Sequence, residues 1–224
     1  MASTFAYRRY EVVNQELSIQ DLKERWPALF TQKEINTEFQ RITAVPLEEK
    51  FMAQLDMHSS QLIKVIRAKG GATRQKTSDI MDTLDQTVDI NLRRECVLKA
   101  LTIFMGEDVN DLIKEYLDSG TDDTQRELEQ LTMAVFVIRK EGEGLQEPPE
   151  DIGIIIDGTE VLHELTSVAS ACAMLLGLIH ALNLAYPKPL RFTFEVLQKI
   201  LMQLDQHKVS PKVYNLYSKL QTSQ

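Results

Sequence analysis

Residues 165–186 constrain this chain more than any other stretch. They are almost continuously apolar, and they set Ala169, Ala173, Gly177 and Ala181 four residues apart. Residues at that spacing share one face of an α-helix, and small side chains there let a second helix approach closely. The pattern predicts a long apolar helix from Leu165 to about Tyr186 at the centre of a core. The stripe is expected to meet the helix that begins near Leu190.

A bilayer span gives a similar signal, since residues 168–186 are about long enough and carry small residues four apart. Ser170, His180 and Asn183 interrupt the apolar run, and an amphipathic segment comes directly after it. The buried core helix is therefore the expected reading, with no membrane partner. With 224 residues, 43% hydrophobic and 26% charged, the chain can bury such a core as an ordinary globular protein.

Around this helix the chain changes character twice. Residues 1–120 read as short helices with good start signals. Ser18-Ile19-Gln20-Asp21 and Thr31-Gln32-Lys33-Glu34 have the form of capping boxes, and Trp26-Pro27 breaks the chain between them. Pro46 opens a helix with Leu47, Phe51 and Leu55 behind it. Ser59 or Ser60 is expected to start another, ending at Gly70. Asp89 starts a longer helix that Gly106 stops. Leu112, Ile113, Tyr116 and Leu117 predict a short helix, and Thr124-Gln125-Arg126-Glu127 is a third capping-box match.

Residues 121–224 then bring β-branched runs. Thr132–Ile138 and Ile152–Ile156 predict two antiparallel strands joined by a charged, Gly/Pro-rich loop over Arg139–Glu150. Asp157-Gly158 is a tight-turn dipeptide, so Thr159–Leu162 can add a third strand. After Pro187 and Pro189, the residues Leu190, Phe194, Leu197, Leu201 and Leu204 form a heptad-like seam. Ser210-Pro211 starts a last helix with Val213, Leu216, Tyr217 and Leu220 on one side. The expected fold class is α+β, mostly α: a multi-helix domain with a small antiparallel β-hairpin packed on long C-terminal helices. A boundary near residues 119–124 divides the halves, which read equally well as one continuous domain.

Chemistry is harder to find. His58, His163, His180 and His207 form no HExxH pattern and no His/Cys cluster, so no metal and no cofactor is expected. Cys96 and Cys172 lie in apolar helical contexts and read as buried free thiols, which favours a reducing intracellular compartment, cytoplasmic or nuclear. No catalytic constellation is recognised, and the acids around residues 141–151 read as a solvated loop. One charge feature remains: Lys64, Arg67, Lys69, Arg74 and Lys76 run without an acid between the first and last, around Gly70-Gly71. Such a segment could hold a phosphate or nucleic acid, although a net charge of −8 argues against general nucleic-acid binding. Phe192, Val196 and Tyr214 fall beside the apolar seams and are candidate interface residues.

Several stretches resemble one vertebrate group. They include Arg25-Trp26-Pro27-Ala28-Leu29-Phe30, Arg93-Arg94-Glu95-Cys96-Val97-Leu98-Lys99-Ala100-Leu101 and Glu150-Asp151-Ile152-Gly153. Ala171-Cys172-Ala173-Met174-Leu175-Leu176-Gly177, Ala181-Leu182-Asn183-Leu184-Ala185-Tyr186-Pro187 and Phe192-Thr193-Phe194-Glu195-Val196-Leu197-Gln198-Lys199 belong with them. Together they resemble the C-terminal region of the sterile alpha motif domain-containing protein 3-like proteins. The resemblance spans most of the chain and implies no activity, cofactor or catalytic residue. The group's label refers to a separate helical interaction domain, and no counterpart of it is read before Arg25.

The leading expectation is a non-enzymatic interaction or scaffold module with a protein partner or a second copy of itself. A nucleic-acid or phosphate-binding module using the Lys64–Lys76 segment is the first alternative. An enzyme of unrecognised type, with a pocket near His163 or the 141–151 loop, is the second.

Overall fold

The local start signals become helix caps. The computed structural model describes residues 2–118, 123–142 and 147–221. After a 3-10 turn at Ala2–Thr4 come α1 (Phe5–Asn14), α2 (Ile19–Arg25) and a second 3-10 turn, Pro27–Phe30. Ser18 and Asp21 close a full capping box on α2, and Pro27 ends that helix as expected. The Thr31 side chain accepts from the Glu34 amide to open α3 (Gln32–Thr43).

The next helix, α4, runs unbroken over Leu47–Ala68. Neither Ser59 nor Ser60 starts a helix there. Ser59 Oγ instead donates back to the Leu55 carbonyl at 2.9 Å, a bond made inside a continuing helix. Helix α5 (Gly71–Gln86) comes after Gly70, and α6 (Ile90–Phe104) is capped by Asp89 and followed by Gly106.

Residues 109–118 differ from the helix expected there. Helix α7 is a single turn, Val109–Leu112, and the chain then extends as β1 (Ile113–Asp118), paired in parallel with β2 (Met133–Lys140). The spacing of Leu112, Ile113, Tyr116 and Leu117 fits either period over so short a run, and pairing with a distant strand decides it. Helix α8 (Asp123–Leu128) lies between the two strands, so Thr124 falls inside it. Its N-cap position, and most of the boundary expected near residues 119–124, lie outside the described residues.

β2 pairs antiparallel with β3 (Asp151–Ile156), with Val135 opposite Ile154. β3 then pairs with β4 (Thr159–Leu162) through a two-residue turn. Asp157 and Gly158 both have positive φ (48° and 69°), the geometry that aspartate and glycine accept in a hairpin turn. The product is a four-stranded mixed sheet, order β1-β2-β3-β4, in which β1 joins the expected hairpin and its third strand. β2 extends through Lys140, so Arg139 belongs to a strand and is buried, not part of a surface loop. Residues 143–146 of the expected loop lie outside the described residues.

Both central strands are covered on two faces, which is why they read as continuous apolar runs. Val135, Val137, Ile152, Ile154 and Ile156 join the main core. Phe136 and Ile155 form a second cluster with Leu128 of α8. Gly153 sits opposite Phe136, and a Cβ there would overlap the phenyl ring and come within 2.5 Å of the Leu162 carbonyl oxygen.

Helix α9 (Val168–Ala181) is shorter than the apolar run that encodes it, and every residue except His180 is buried. No described helix is long and apolar enough to cross a membrane. Gly177 of the small stripe meets a different partner from the one expected. A Cβ on Gly177 would collide with Leu47 and lie 2.7 Å from Ile35 Cγ2, so α9 packs closely on α3 and the start of α4. The segment after Pro187 forms α10 (Arg191–Val196), which passes into a π-helical turn at Leu197–Leu201. Leu190, Phe194, Leu197 and Leu201 are buried along the seam, and Leu204 packs beside them. Helix α11 (Pro211–Gln221) buries Val213, Leu216 and Leu220. One cluster of buried apolar residues runs from Ile19 to Leu220 and takes side chains from both halves of the chain.

Candidate functional site

Helix α1 is turned inside out. Its buried residues are Arg8 and Glu11, whereas Tyr7, Tyr10 and Val13 are 56%, 60% and 48% exposed. Positions 7, 10 and 13 succeed one another at three-residue spacing, so they form a stripe on the outer face. Amphipathic helices ordinarily bury such a stripe.

The inward charges are fully engaged. Arg8 Nε and Nη2 donate to the two carboxylate oxygens of Glu38 on α3, at 3.0 and 2.6 Å. Glu38 also accepts from Arg41 at 2.9 Å. Glu11 accepts from Arg25 Nε and Nη2 at 2.8 and 2.5 Å, and from the Trp26 indole at 3.0 Å. Burial pushes the Glu11 carboxyl up, and the bonds from Arg25, Tyr7 and Trp26 more than reverse it, leaving it below its ordinary value. Trp26 lies edge-on to Tyr7, with ring centroids 6.2 Å apart, and Arg25 donates to the Tyr7 hydroxyl at 3.1 Å. An exposed patch of Tyr7, Tyr10, Val13 and Arg25, backed by Trp26, results. No local signal in the sequence singles out this helix.

The residues predicted as interface differ in burial. Val196 is a core residue, 1% exposed. Phe192 is half-buried, with Arg191 and Lys212 over its ring at 4.6 and 4.5 Å. Tyr214 alone of the three is an exposed large side chain, at 60%.

The basic segment spans the end of α4 and the start of α5, and all five cations are exposed. Arg67 is held by Asp85 in a bidentate pair at 2.7 and 2.8 Å. Lys69 donates to the Phe104 carbonyl at 3.0 Å and lies over the Phe104 ring, helping to cap α6. Arg67 and Lys69 are thus turned toward different elements.

Beside the 141–151 segment there is a cleft of about 260 Å³ at the starts of α6 and α9, lined by Asp89, Glu95, Arg139, Glu147 and Ser167 among others. Two of its lining charges, Glu95 and Arg139, belong to a four-charge cluster with Lys99 and the more exposed Glu115. Lys99 pairs with Glu95 at 2.6 Å and with Glu115, and Arg139 lies 3.8 Å from Glu95 and 3.6 Å from Glu115. Burial lowers the Lys99 ammonium, but Glu95 and Glu115 raise it above its ordinary value overall. Burial likewise raises Glu115, and Lys99 and Arg139 bring it below. Two acids thus balance two bases. Asp89 accepts from the Leu92 amide and Ser167 from the Ser170 amide, so both act as helix caps. His163 is exposed, 3.9 Å from Glu164.

Both cysteines are buried free thiols. Burial pushes Cys96 up to about 11 and Cys172 up to about 12. Among the described residues, no group of three or more His, Cys, Asp or Glu side chains is arranged to hold a metal ion.

A family model described as the helical domain of sterile alpha motif domain-containing protein 3 matches residues 1–31. Those residues carry α1, α2 and the Pro27–Phe30 turn. No curated protein and no solved structure matches this chain.

Proposed function

We propose that this chain is a non-enzymatic protein-interaction module, and that the outer face of α1 is its docking surface. The observation that supports this is the inversion of α1: two buried charge networks hold the helix with its aromatic stripe in water. Tyrosine, tryptophan and arginine are the residue types that dominate binding energy at protein interfaces. Tyr7, Tyr10, Arg25 and Trp26 bring all three types together on one patch.

Arg25, its side chain half-exposed, is the charged member of that patch, on a chain of net charge −8. Charge complementarity therefore favours a partner helix that carries carboxylates beside an apolar stripe. A second copy would bring the same arginine and is the less favoured occupant. A wider relation to the sterile alpha motif domain-containing protein 3-like proteins is part of this reading. It draws on the motifs from Arg25 to Lys199 and on the match over residues 1–31. An intracellular location fits two free, buried thiols.

The test uses a photo-crosslinking amino acid at position 10 in native cells, followed by titration of the captured partner after purification. Tyr10→Glu with Val13→Glu changes two exposed side chains and is expected to leave folding intact. Binding should weaken by roughly tenfold or more in that variant. Unchanged affinity, or cross-links that reach only a second copy of this chain, would refute the proposed surface.

A further inference from the structure

A different edge of the same helix borders a cleft of about 300 Å³, between α1, the C-terminal end of α9 and the π-helical turn. Its walls include Ile42, Ile179, Leu184 and Ala185, and its polar members are Arg9, His180, Asn183, Tyr186 and Gln198. The size is at the small end of ligand pockets, and an apolar wall with a few convergent polar groups is their usual composition.

Arg9 has a partly committed guanidinium. Nη1 donates to the carbonyls of His180 and Ala181 at 3.0 and 3.2 Å, which caps the end of α9. Among the described residues, Nε and Nη2 have no such bond, and no carboxylate lies within ion-pair distance of Arg9. The nearest acid with influence on it, Glu38, already serves Arg8 and Arg41. A desolvated cation with free donors on the wall of a cleft is complementary to an anion.

The rest of the cleft is fixed with unusual backbone. His180 Nδ1 lies 2.9 Å from the Leu176 carbonyl, which can only accept, so Nδ1 carries the proton and Nε2 keeps its lone pair. Tyr186 donates to Gln198 Oε1 at 2.5 Å, and Gln198 Nε2 donates to Asp205 at 2.9 Å. The chain Tyr186–Gln198–Asp205 thereby sets the direction of each polar group. Gln198 belongs to the π-helical turn, an irregularity frequent at functional sites. Asn183, on the cleft wall, has a positive φ (54°), as does Asp205 (48°), the residue that holds Gln198. Tyr186 stacks on Phe194 at 5.2 Å and His180 lies edge-on to Phe39 at 5.0 Å, so both rings are braced from behind.

From this geometry we infer that the cleft binds a carboxylate carried on a short apolar or aromatic body. Arg9 takes the carboxylate through Nε and Nη2. The body lies on Ile42, Leu184 and the rings of His180 and Tyr186. His180 Nε2 accepts from a hydroxyl or amide on the ligand where one is present. Such a carboxylate can come from a small organic acid or from the C-terminus of a peptide, and the chemistry of capture is the same.

The experiment follows the ring signals of His180 and Tyr186 by NMR during titration of the intact chain. The probes are 3-phenylpropionate, its uncharged amide, inorganic phosphate, and a short peptide ending in phenylalanine with a free or amidated C-terminus. Either free carboxylate should shift both rings saturably, and the matching amide should bind weaker by roughly tenfold or more. A response to 3-phenylpropionate assigns a small acid, and a response only to the free-ended peptide assigns a chain end. Arg9→Gln should abolish the difference between acid and amide. Because Arg9 also caps α9, Ala185→Trp serves as an independent block: it fills the cleft from an exposed loop position and should abolish binding with the circular dichroism unchanged. The inference fails if neither carboxylate shifts the rings, if phosphate alone does so, or if binding survives Ala185→Trp.

Discussion

Gly177 offers the sharpest test of how the core is built. In an exposed helix, Gly→Ala ordinarily stabilises by roughly 1 kcal/mol, because alanine has less backbone freedom to lose. Here the sign should reverse. A Cβ at 177 would overlap Leu47 and lie 2.7 Å from Ile35 Cγ2, well inside van der Waals contact. Leu47 is 1% exposed and Ile35 0%, so neither side chain has open space to move into. Ile35 is also β-branched, and its Cγ2 cannot swing without leaving its rotamer. Overpacking of this kind costs about 1–3 kcal/mol, which sets Gly177→Ala at about 0–2 kcal/mol destabilising after the helix gain. Gly177→Leu, with three more carbons and the same walls, should exceed about 3 kcal/mol. In a chain of this length, each kcal/mol corresponds to roughly 2–4 °C in Tm. Urea unfolding followed by circular dichroism measures both variants. Leu47→Ala alone should destabilise by about 2–5 kcal/mol. Combined with Gly177→Ala it should destabilise by less than the sum, since the new methyl enters the vacated space. A raised Tm for Gly177→Ala, or strict additivity with Leu47→Ala, would refute the close approach of α9 to α3 and α4.

The charge cluster between α6 and the sheet predicts a pH response. Glu115 is held below its ordinary value of 4.5, so its contribution is present above that pH and is lost as pH falls through the depressed folded value. Lys99 is held above its ordinary value of 10.5, so its contribution is present below that pH and fades as pH rises past it. Glu115→Gln should therefore flatten the acid limb of a Tm-against-pH curve, and an unchanged limb would count against the cluster. Arg8→Met should loosen α1 by about 3 kcal/mol, because it leaves the buried Glu38 carboxylate short of a partner. Hydrogen exchange should rise in residues 5–14 before it rises elsewhere, and uniform protection would contradict the assignment. Cys96 and Cys172 should resist a thiol reagent at neutral pH in the folded chain and react together in urea, since burial keeps both protonated.

Features written locally in the chain were legible in the sequence. Ser18, Thr31 and Asp89 cap helices because a cap depends only on a side chain and the next turn. The runs at 132–138 and 152–156 read as antiparallel strands because β-branched residues fill both, and the Asp157-Gly158 turn folds β4 back onto β3. Features set by distant partners were not legible. β1 looks helical until β2 pairs with it. Ser59 has the composition of a cap, but it lies inside a helix that the core keeps straight through it. The small stripe on α9 showed that something approaches closely, and only the fold shows that Leu47 and Ile35 do so. The α9 cleft has the same origin, since Arg9, His180 and Gln198 meet from three separate segments.

Helix α1 shows why the proposed site is the least legible part. Read alone, Tyr7, Tyr10 and Val13 should go in, and Arg8 and Glu11 should go out. The reverse holds because Glu38, Arg25 and Trp26, up to 30 positions away, supply partners for the charges. Buried ion pairs are poor stabilisers, since desolvation offsets most of their attraction, and apolar residues of similar volume often do as well. The pairs here supply orientation instead. Rotating α1 about its axis to bury the tyrosines would set uncharged side chains against the Glu38 carboxylate, which is 2% exposed, and take two of its donors away. The helix is thus held with its aromatic face outward by the cost of the alternative.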